Sequence, residues 1–221
     1  MTIQETGYGN IQERAKWQLQ RKGGKRVGYK WKGLDVIRGL PRKSHKPRSE
    51  ARLANEQAMK LIMSVLTPLK LFIRMGFRYA AEPLNMSAFN LALSINKKHA
   101  IKGQYPDLEI DWDNLQISKG NLAGIKSLAA EWTDTGLRVS WDTDTGNAPG
   151  HAADLLSLAV YSTSEDYWWP FFNAATRDAG ECELSHDKDW HSFEAHVVGF
   201  SVSYTGDAVS DSRHVHVPAR S

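Results

Sequence analysis

The sequence of 221 residues contains a single cysteine, Cys182, so an intrachain disulfide is impossible. Such low cysteine use is typical of proteins made in a reducing compartment. No run of about 18 apolar residues occurs, which argues against a membrane-spanning helix. The N-terminal segment M-T-I-Q-E-T-G-Y-G-N lacks a basic region followed by an apolar one and therefore does not predict a secretory signal. We expect cytoplasmic synthesis, either for a complex that stays there or for a virion-like or released assembly.

Motifs that carry chemistry are also scarce. The G-G-K sequence at 23–25 lacks the spacing of a phosphate-binding loop. Asp142 and Asp144 would suit a glycosidase, but turn formation explains these two carboxylates better. Cys182 has no specified partner for nucleophilic catalysis and fits a buried structural cysteine. We therefore predict that the protein is not an enzyme and has no cofactor, with a carbohydrate hydrolase as a distant alternative.

Histidine is the residue type that comes nearest to a site. His214 and His216 would point to one face of a strand. A second group combines three histidines spaced five apart with neighbouring acidic or thiol side chains: His186, His191, His196, Cys182, Asp187, Asp189 and Glu194. Zinc favours such ligands, but structural zinc sites usually bring them in tight pairs. We predict no metal site and expect these histidines at polar surface or edge positions.

The net charge of +3 conceals a division along the chain. Residues 1–102 carry 21 Lys+Arg and 6 Asp+Glu, whereas residues 103–221 carry 7 Lys+Arg and 19 Asp+Glu. Such asymmetry predicts either a nucleic-acid-binding half or two halves that meet within or between copies.

The longest helical pattern covers 47–79, with Ser49 as its N-cap. Pro68 should kink or divide this helix, with Thr67 capping the second part. The apolar stripe of this region consists of Ala54, Ala58, Leu61, Ile62, Val65, Leu69, Phe72, Ile73 and Gly76. A third helix is predicted over 87–100, with Ser87 as its cap.

Strand patterns lie on both sides of the helices. Segments 27–31 and 34–40 predict a hairpin, followed by a basic linker at 41–47. From Asp107 onward the apolar residues alternate, first at 108–112 and then at 115–117. Further strands are predicted at 127–132, 137–141, 155–161, 167–176, 181–185, 194–204 and 212–217. The strand series indicates a sandwich of immunoglobulin or fibronectin type III character, with Trp141 in its core.

The predicted fold class is α+β, in three regions: a basic arm with a β-hairpin at 1–48, a helical region at 49–102 and an acidic β-sandwich at 103–221. Several short motifs also carry a family resemblance: V-G-Y-K-W-K-G at 27–33, I-R-G-L-P at 37–41, P-R-S-E-A at 47–51, R-M-G-F at 74–77, M-S-A-F-N at 86–90, G-Q-Y-P-D at 103–107 and S-K-G-N-L at 118–122. In this order the motifs resemble an uncharacterised Bacteroidetes family built on a domain of unknown function, over residues 24–217. The resemblance implies the same architecture only, because that family has no established activity or catalytic residues.

We predict a non-enzymatic structural or assembly protein, which would be a self-associating subunit of a filament, a phage-like particle or another complex. An isolated hairpin is marginal in water, and an exposed sandwich edge can accept an added strand. The aromatic run at 167–172 would mark a protein interface or a sugar-binding surface if one of its faces is exposed. The residues expected at the assembly interface are Val27, Tyr29, Trp31, Val36, Ile37, Trp168 and Phe171.

The alternative is a nucleic-acid-binding protein, in which basic side chains hold phosphates and Tyr29 and Trp31 stack on bases. No named nucleic-acid-binding motif is present. The basic residues expected to bind in that case are Arg21, Lys22, Lys25, Arg26, Lys30, Lys32, Arg42, Lys43, Lys46 and Arg48.

Overall fold

The structure is a computed structural model and describes residues 17–21, 24–31, 33–39, 47–185 and 193–219, with side chains described from residue 26 onward. The chain divides into two compact units, Met1–Pro47 and Arg48–Ser221. Most of the predicted basic linker, residues 41–46, lies outside the described residues. The helical and strand regions predicted at 49–102 and 103–221 both belong to the second unit.

The described part of the first unit is an antiparallel sheet of three strands in the order β1-β2-β3. The strands are β1 (Trp17–Arg21), β2 (Gly24–Trp31) and β3 (Leu34–Gly39). Trp31 at the end of β2 pairs with Leu34 at the start of β3. Gly33 has φ of 81°, a conformation that a glycine adopts without strain.

Four helices open the second unit: α1 (Glu50–Leu66), α2 (Lys70–Gly76), α3 (Arg78–Ala81) and α4 (Ala88–His99). The predicted caps are confirmed, because the hydroxyl of Ser49 accepts from the Arg52 amide and that of Ser87 from the Asn90 amide. The predicted break at Pro68 is also confirmed, since residues 67–69 form a turn between α1 and α2. Thr67 is not the second cap, because α2 begins only at Lys70.

The helices lead into a hairpin of β4 (Ile101–Gln104) and β5 (Asp107–Ile110). The prediction of a strand near 108–112 is confirmed in part, and β4 was not predicted. The predicted strand at 115–117 is wrong: that segment is buried but has no strand partner. Instead Asn96 holds it, since its side chain donates to the Gln116 carbonyl at 2.7 Å and accepts from the Gln116 amide at 2.8 Å.

Seven further strands form two antiparallel sheets, of order β10-β7-β6 and β12-β11-β8-β9. Their bounds are β6 (Lys126–Trp132), β7 (Leu137–Asp142), β8 (Leu155–Ser162), β9 (Tyr167–Thr176), β10 (Glu181–Leu184), β11 (Ala195–Val202) and β12 (Arg213–Val217). Each of the seven strands predicted from residue 127 onward is present, within about two residues of its predicted ends.

The four-stranded sheet is buried on both faces, which explains why β8 and β11 are nearly continuous apolar runs. On one face, Val198 and Phe200 join a hydrophobic cluster with the helices. On the other face, Val197 and Leu158 join a second cluster with β7 and β10. Trp141 lies in this second cluster with 6% of its surface exposed, so its predicted place in the core is confirmed.

A buried ion pair ties together three connections at one end of the sandwich. Arg177 and Asp154 are each 1% exposed, with 3.6 Å between Nε and Oδ2. The Arg177 guanidinium also donates to the carbonyls of Ala123 and Gly124, at 2.6 and 3.3 Å. Asp154 accepts from the backbone amides of His151 and Tyr204. The second unit is thus a layered arrangement of helices and antiparallel sheets.

Candidate functional site

The most chemically distinctive group of side chains is the histidine cluster, defined as His196, His214, His216, Asp113 and Glu194. His196 on β11 pairs in register with His216 on β12. His214 lies two residues before His216 and therefore on the same face of the sheet. Strand pairing thus brings together three imidazoles that lie up to 20 positions apart in the sequence.

Hydrogen bonds join the cluster in two groups. Asp113 Oδ1 lies 2.9 Å from His214 Nδ1, and His214 Nε2 lies 2.9 Å from His196 Nδ1. Separately, His216 Nε2 lies 2.5 Å from Glu194 Oε1. The side chains of His216 and Glu194 are about half exposed, whereas that of His214 is 5% exposed and His196 is 8% exposed.

The indole of Trp112 covers the cluster. Its ring stacks on His196 with 4.2 Å between centroids and 10° between planes. Tyr161 and Trp168 also lie against Trp112, at 4.8 and 6.0 Å. The predicted surface or edge position is therefore wrong for His196, which is buried between the sheet and an indole.

Burial controls the protonation of the two inner histidines. It lowers the pKa of His196 to about 4, and the neighbouring His214 and His216 add to this effect. Burial also lowers the pKa of His214, against the opposing effect of the hydrogen bond to Asp113. Both imidazoles are therefore neutral at pH 7.

The cluster does not have the ligand set of a metal centre. Within the described ranges, no group of three or more His, Cys, Asp or Glu side chains could hold a metal ion. His186, His191, Asp187 and Asp189 lie outside those ranges. Burial raises the pKa of the Cys182 thiol to about 11, so this residue is a poor nucleophile at neutral pH.

The acidic pair at Asp142 and Asp144 forms a turn. Asp142 accepts from the Asp144 amide at 2.9 Å, and Asp144 accepts from the Gly146 amide at 3.0 Å. A hydrogen bond from Lys126 lowers the pKa of Asp144. The carboxylates therefore serve the local backbone, in agreement with the turn interpretation.

The predicted assembly residues of the first unit lie on β2 and β3. Trp31 is 44% and Ile37 58% exposed, and the neighbouring Leu34 is 57% exposed. Val27, Tyr29 and Val36 are half-buried. No large apolar side chain is fully buried among the side chains described here, at 26–31 and 33–39.

The two predicted assembly residues on β9 have different environments. Trp168 is 3% exposed and packs in the core beside Tyr161 and Trp112, so it is not available to a partner in this conformation. Phe171 is half-buried against the second hydrophobic cluster. The exposed aromatics of this strand are instead Tyr167 and Phe172.

The structure describes only some of the predicted phosphate-binding residues. Arg26 and Lys30 are exposed on β2, and the exposed Arg38 lies over the Tyr29 ring at 5.7 Å. Arg48 belongs to the second unit and pairs with Glu56 at 2.7 Å. Lys22, Lys32, Arg42, Lys43 and Lys46 lie outside the described residues, as do the side chains of Arg21 and Lys25.

Three of the four outer strands of the two sheets carry features that discourage strand addition. β9 contains Pro170, which has no amide hydrogen, and Asn173 with φ of 49° beside a register shift. β6 has a register shift next to Ser127, whose φ is 49°, and β10 is only four residues long. A contact through side chains fits these edges better than an added strand.

The second unit is a layered arrangement of helices and antiparallel sheets, without a metal-ligand cluster among its described residues. Residues 16–216 match the model of DUF6266, a family of unknown function, so the chain belongs to that family. The predicted family resemblance is thereby confirmed, and the predicted origin in Bacteroidetes stays a prediction. No curated protein matches the sequence significantly.

Among solved structures, the chain is similar to the FN1–FN3 domains of chicken CNTN1, seen in a crystal structure. The identity is 10% and the TM-score 0.31, over 47% of this chain and 34% of that one. The chain thus spans about a third of that structure, and a likeness this weak carries no argument. No helix in the described segments has the length and apolar character needed to cross a bilayer.

Proposed function

We propose that this protein is a structural subunit that self-associates, with the basic first unit of one copy contacting an acidic surface on the next copy. The observation that carries the proposal is the exposure of apolar side chains on the basic sheet of β1, β2 and β3. Its apolar residues Trp31, Leu34 and Ile37 are between 44% and 58% exposed. Apolar side chains exposed to this extent contribute stability when a partner covers them.

The distribution of charge along the chain supports a contact between the basic first unit and an acidic part of another copy. Residues 1–47 carry 12 Lys+Arg and 3 Asp+Glu, whereas residues 103–221 carry 7 Lys+Arg and 19 Asp+Glu. Asp107 and Glu109 are exposed on β5, two residues apart and thus on one side of the strand. We assign these two carboxylates to the acceptor surface, where Arg26, Lys30 and Arg38 of another copy would be attracted.

The contact is heterologous, because different surfaces meet on the two copies. Contacts of this kind close into rings or extend into filaments. A filament or a phage-like particle belongs to this class of assembly. The protein needs no enzyme activity for this role.

The order of the strands favours an immunoglobulin or fibronectin type III topology for the sandwich. With β6 to β12 taken as strands A, B, C, C′, E, F and G, the sheets become E-B-A and G-F-C-C′. Extracellular and cell-surface proteins commonly use such sandwiches as interaction modules. A non-enzymatic binding role agrees with that use.

The test is light scattering of the full chain during size-exclusion chromatography, at low and high salt. The variant Arg26→Gln/Lys30→Gln/Arg38→Gln should shift large species toward the monomer. A matched control, Lys60→Gln/Lys98→Gln/Lys119→Gln, removes three exposed charges of the second unit and should leave assembly unchanged. A wild-type chain that stays monomeric at high concentration and low salt refutes the proposal.

Nucleic-acid binding is the second candidate, favoured by the exposed Arg26 and Lys30 that flank Tyr29. Binding of this kind should weaken steeply with salt, with a log–log slope near the number of phosphates neutralised. A fluorescence anisotropy titration with single-stranded and duplex DNA and RNA measures that slope. A sub-micromolar Kd at physiological salt would favour this candidate over assembly.

A further inference from the structure

The segment between Asp111 and Leu115 carries two contacts to the histidine cluster. The Asp113 carboxylate bonds His214, and the Trp112 indole stacks on His196. At either end the chain is fixed independently, since the Asp111 amide donates to the Ala100 carbonyl and Leu115 is buried. Residues 112–114 are therefore a short loop that these histidine contacts hold against the sheet, together with the packing of Trp112 on Tyr161 and Trp168.

The hydrogen-bond chain has one direction when both histidines are neutral. An ionised Asp113 only accepts, so His214 donates through Nδ1 and accepts through Nε2. His196 must then donate through Nδ1, which leaves its Nε2 as the site for a proton. Because both nitrogens of His214 take part in hydrogen bonds, each of the two neutral rings can have only one tautomer.

Protons break this chain in the second step. A first proton on either ring leaves the other ring neutral and able to accept through its facing nitrogen, so the bond between the rings survives. Protonation of both rings places two N–H groups and two positive charges across a 2.9 Å gap. Neither ring can then accept, so the bond between them is lost.

The elements packed against the cluster carry further titratable or charged groups. Asp111 and Asp113 favour protonation of the histidines, as does Glu194, whereas His216 disfavours it. The remaining groups are Tyr161, which donates to Asp166 at 2.6 Å, and Lys126 and Arg213, which line a small pocket with His214.

We propose that the Asp113–His214–His196 chain is an acid-sensitive latch, which holds the 112–114 loop against the sheet at neutral pH and releases it when both imidazoles are protonated. Release moves Trp112 away from Tyr161 and Trp168 and uncovers an aromatic surface. The lowered pKa values of both histidines mean that the latch stays closed at pH 7 and opens only in acid. The opening is local, because Asn96 continues to hold Gln116.

The test is hydrogen–deuterium exchange of the full chain between about pH 7 and about pH 3.5, which lies below the His196 pKa of about 4, corrected for the intrinsic pH dependence of exchange. Peptides that contain 112–114 should exchange at least roughly tenfold faster in acid, while those of β11 stay protected. His196→Phe keeps a ring beneath Trp112 but cannot take a proton, so it should abolish the response. The exposed His216→Asn is the matched control and should retain it.

Two results would overturn the latch. One is a wild-type 112–114 loop with the same corrected exchange at both pH values. The other is an equal acid response in His196→Phe. Should that variant fail to fold, a wild-type NMR titration of the histidine rings decides the matter: independent titration of His196 and His214 with ordinary pKa values excludes the latch.

Discussion

The buried ion pair between Asp154 and Arg177 should make Asp154→Asn one of the most damaging single substitutions in this chain. Asparagine keeps the shape of aspartate and removes its charge, which leaves the guanidinium of Arg177 uncompensated. Both side chains are 1% exposed, so water cannot solvate the remaining charge. Removing one partner of such a pair typically costs about 3–5 kcal/mol.

Urea denaturation of the full chain, followed by circular dichroism, measures that loss directly. For a unit of this size the loss corresponds to a fall in Tm of roughly 6–20 °C. Arg177→Met combined with Asp154→Asn should recover part of the stability, because no charge is then left buried. The control is Glu131→Gln, which breaks an exposed pair with Arg138 at 3.4 Å and should cost about 1 kcal/mol or less. Equal urea midpoints for Asp154→Asn and Glu131→Gln would refute the reasoning.

Three further predictions concern other parts of the second unit. Burial lowers the pKa of His196 from 6.5 to about 4, so the unfolded chain binds more protons between these values. The free energy of unfolding, measured by urea titration, should fall by up to about 3 kcal/mol between about pH 6.5 and about pH 4. The variant His196→Phe should show a weaker dependence of this free energy on pH. Cys182 should react with a thiol reagent at pH 8 far more slowly in the folded protein than in urea, because burial raises its pKa to about 11; equal rates would contradict this. Ser87→Ala should lower the free energy of unfolding by about 1 kcal/mol through loss of the α4 cap, and an unchanged midpoint would exclude a role for that hydroxyl.

Local rules account for the elements that the sequence predicted well. Ser49 and Ser87 cap their helices through contacts that span three residues, so the sequence pattern contains the whole interaction. Pro68 likewise acts on its own backbone. The strands from β6 onward alternate or form short apolar runs between turn residues, and both patterns are local.

Contacts between distant segments explain what the sequence did not predict. His196 is buried because β12 places two histidines beside it and Trp112 arrives from a loop 84 positions earlier in the chain. Trp168 is buried for a similar reason, since the helices cover the face of β9 on which it lies. The 115–117 segment has an alternating pattern, but hydrogen bonds from Asn96 replace a strand partner.

The proposed docking of the basic sheet of one copy on the acidic surface of another can be tested by mixing two variants in sedimentation velocity. One full-length variant carries Arg26→Gln/Lys30→Gln/Arg38→Gln, and a second carries Asp107→Asn/Glu109→Gln. Each should sediment as a monomer at low salt. Because each keeps the surface that the other has lost, their mixture should form a one-to-one complex and nothing larger. Two variants that remain monomers when mixed, while the wild type assembles, would contradict the account.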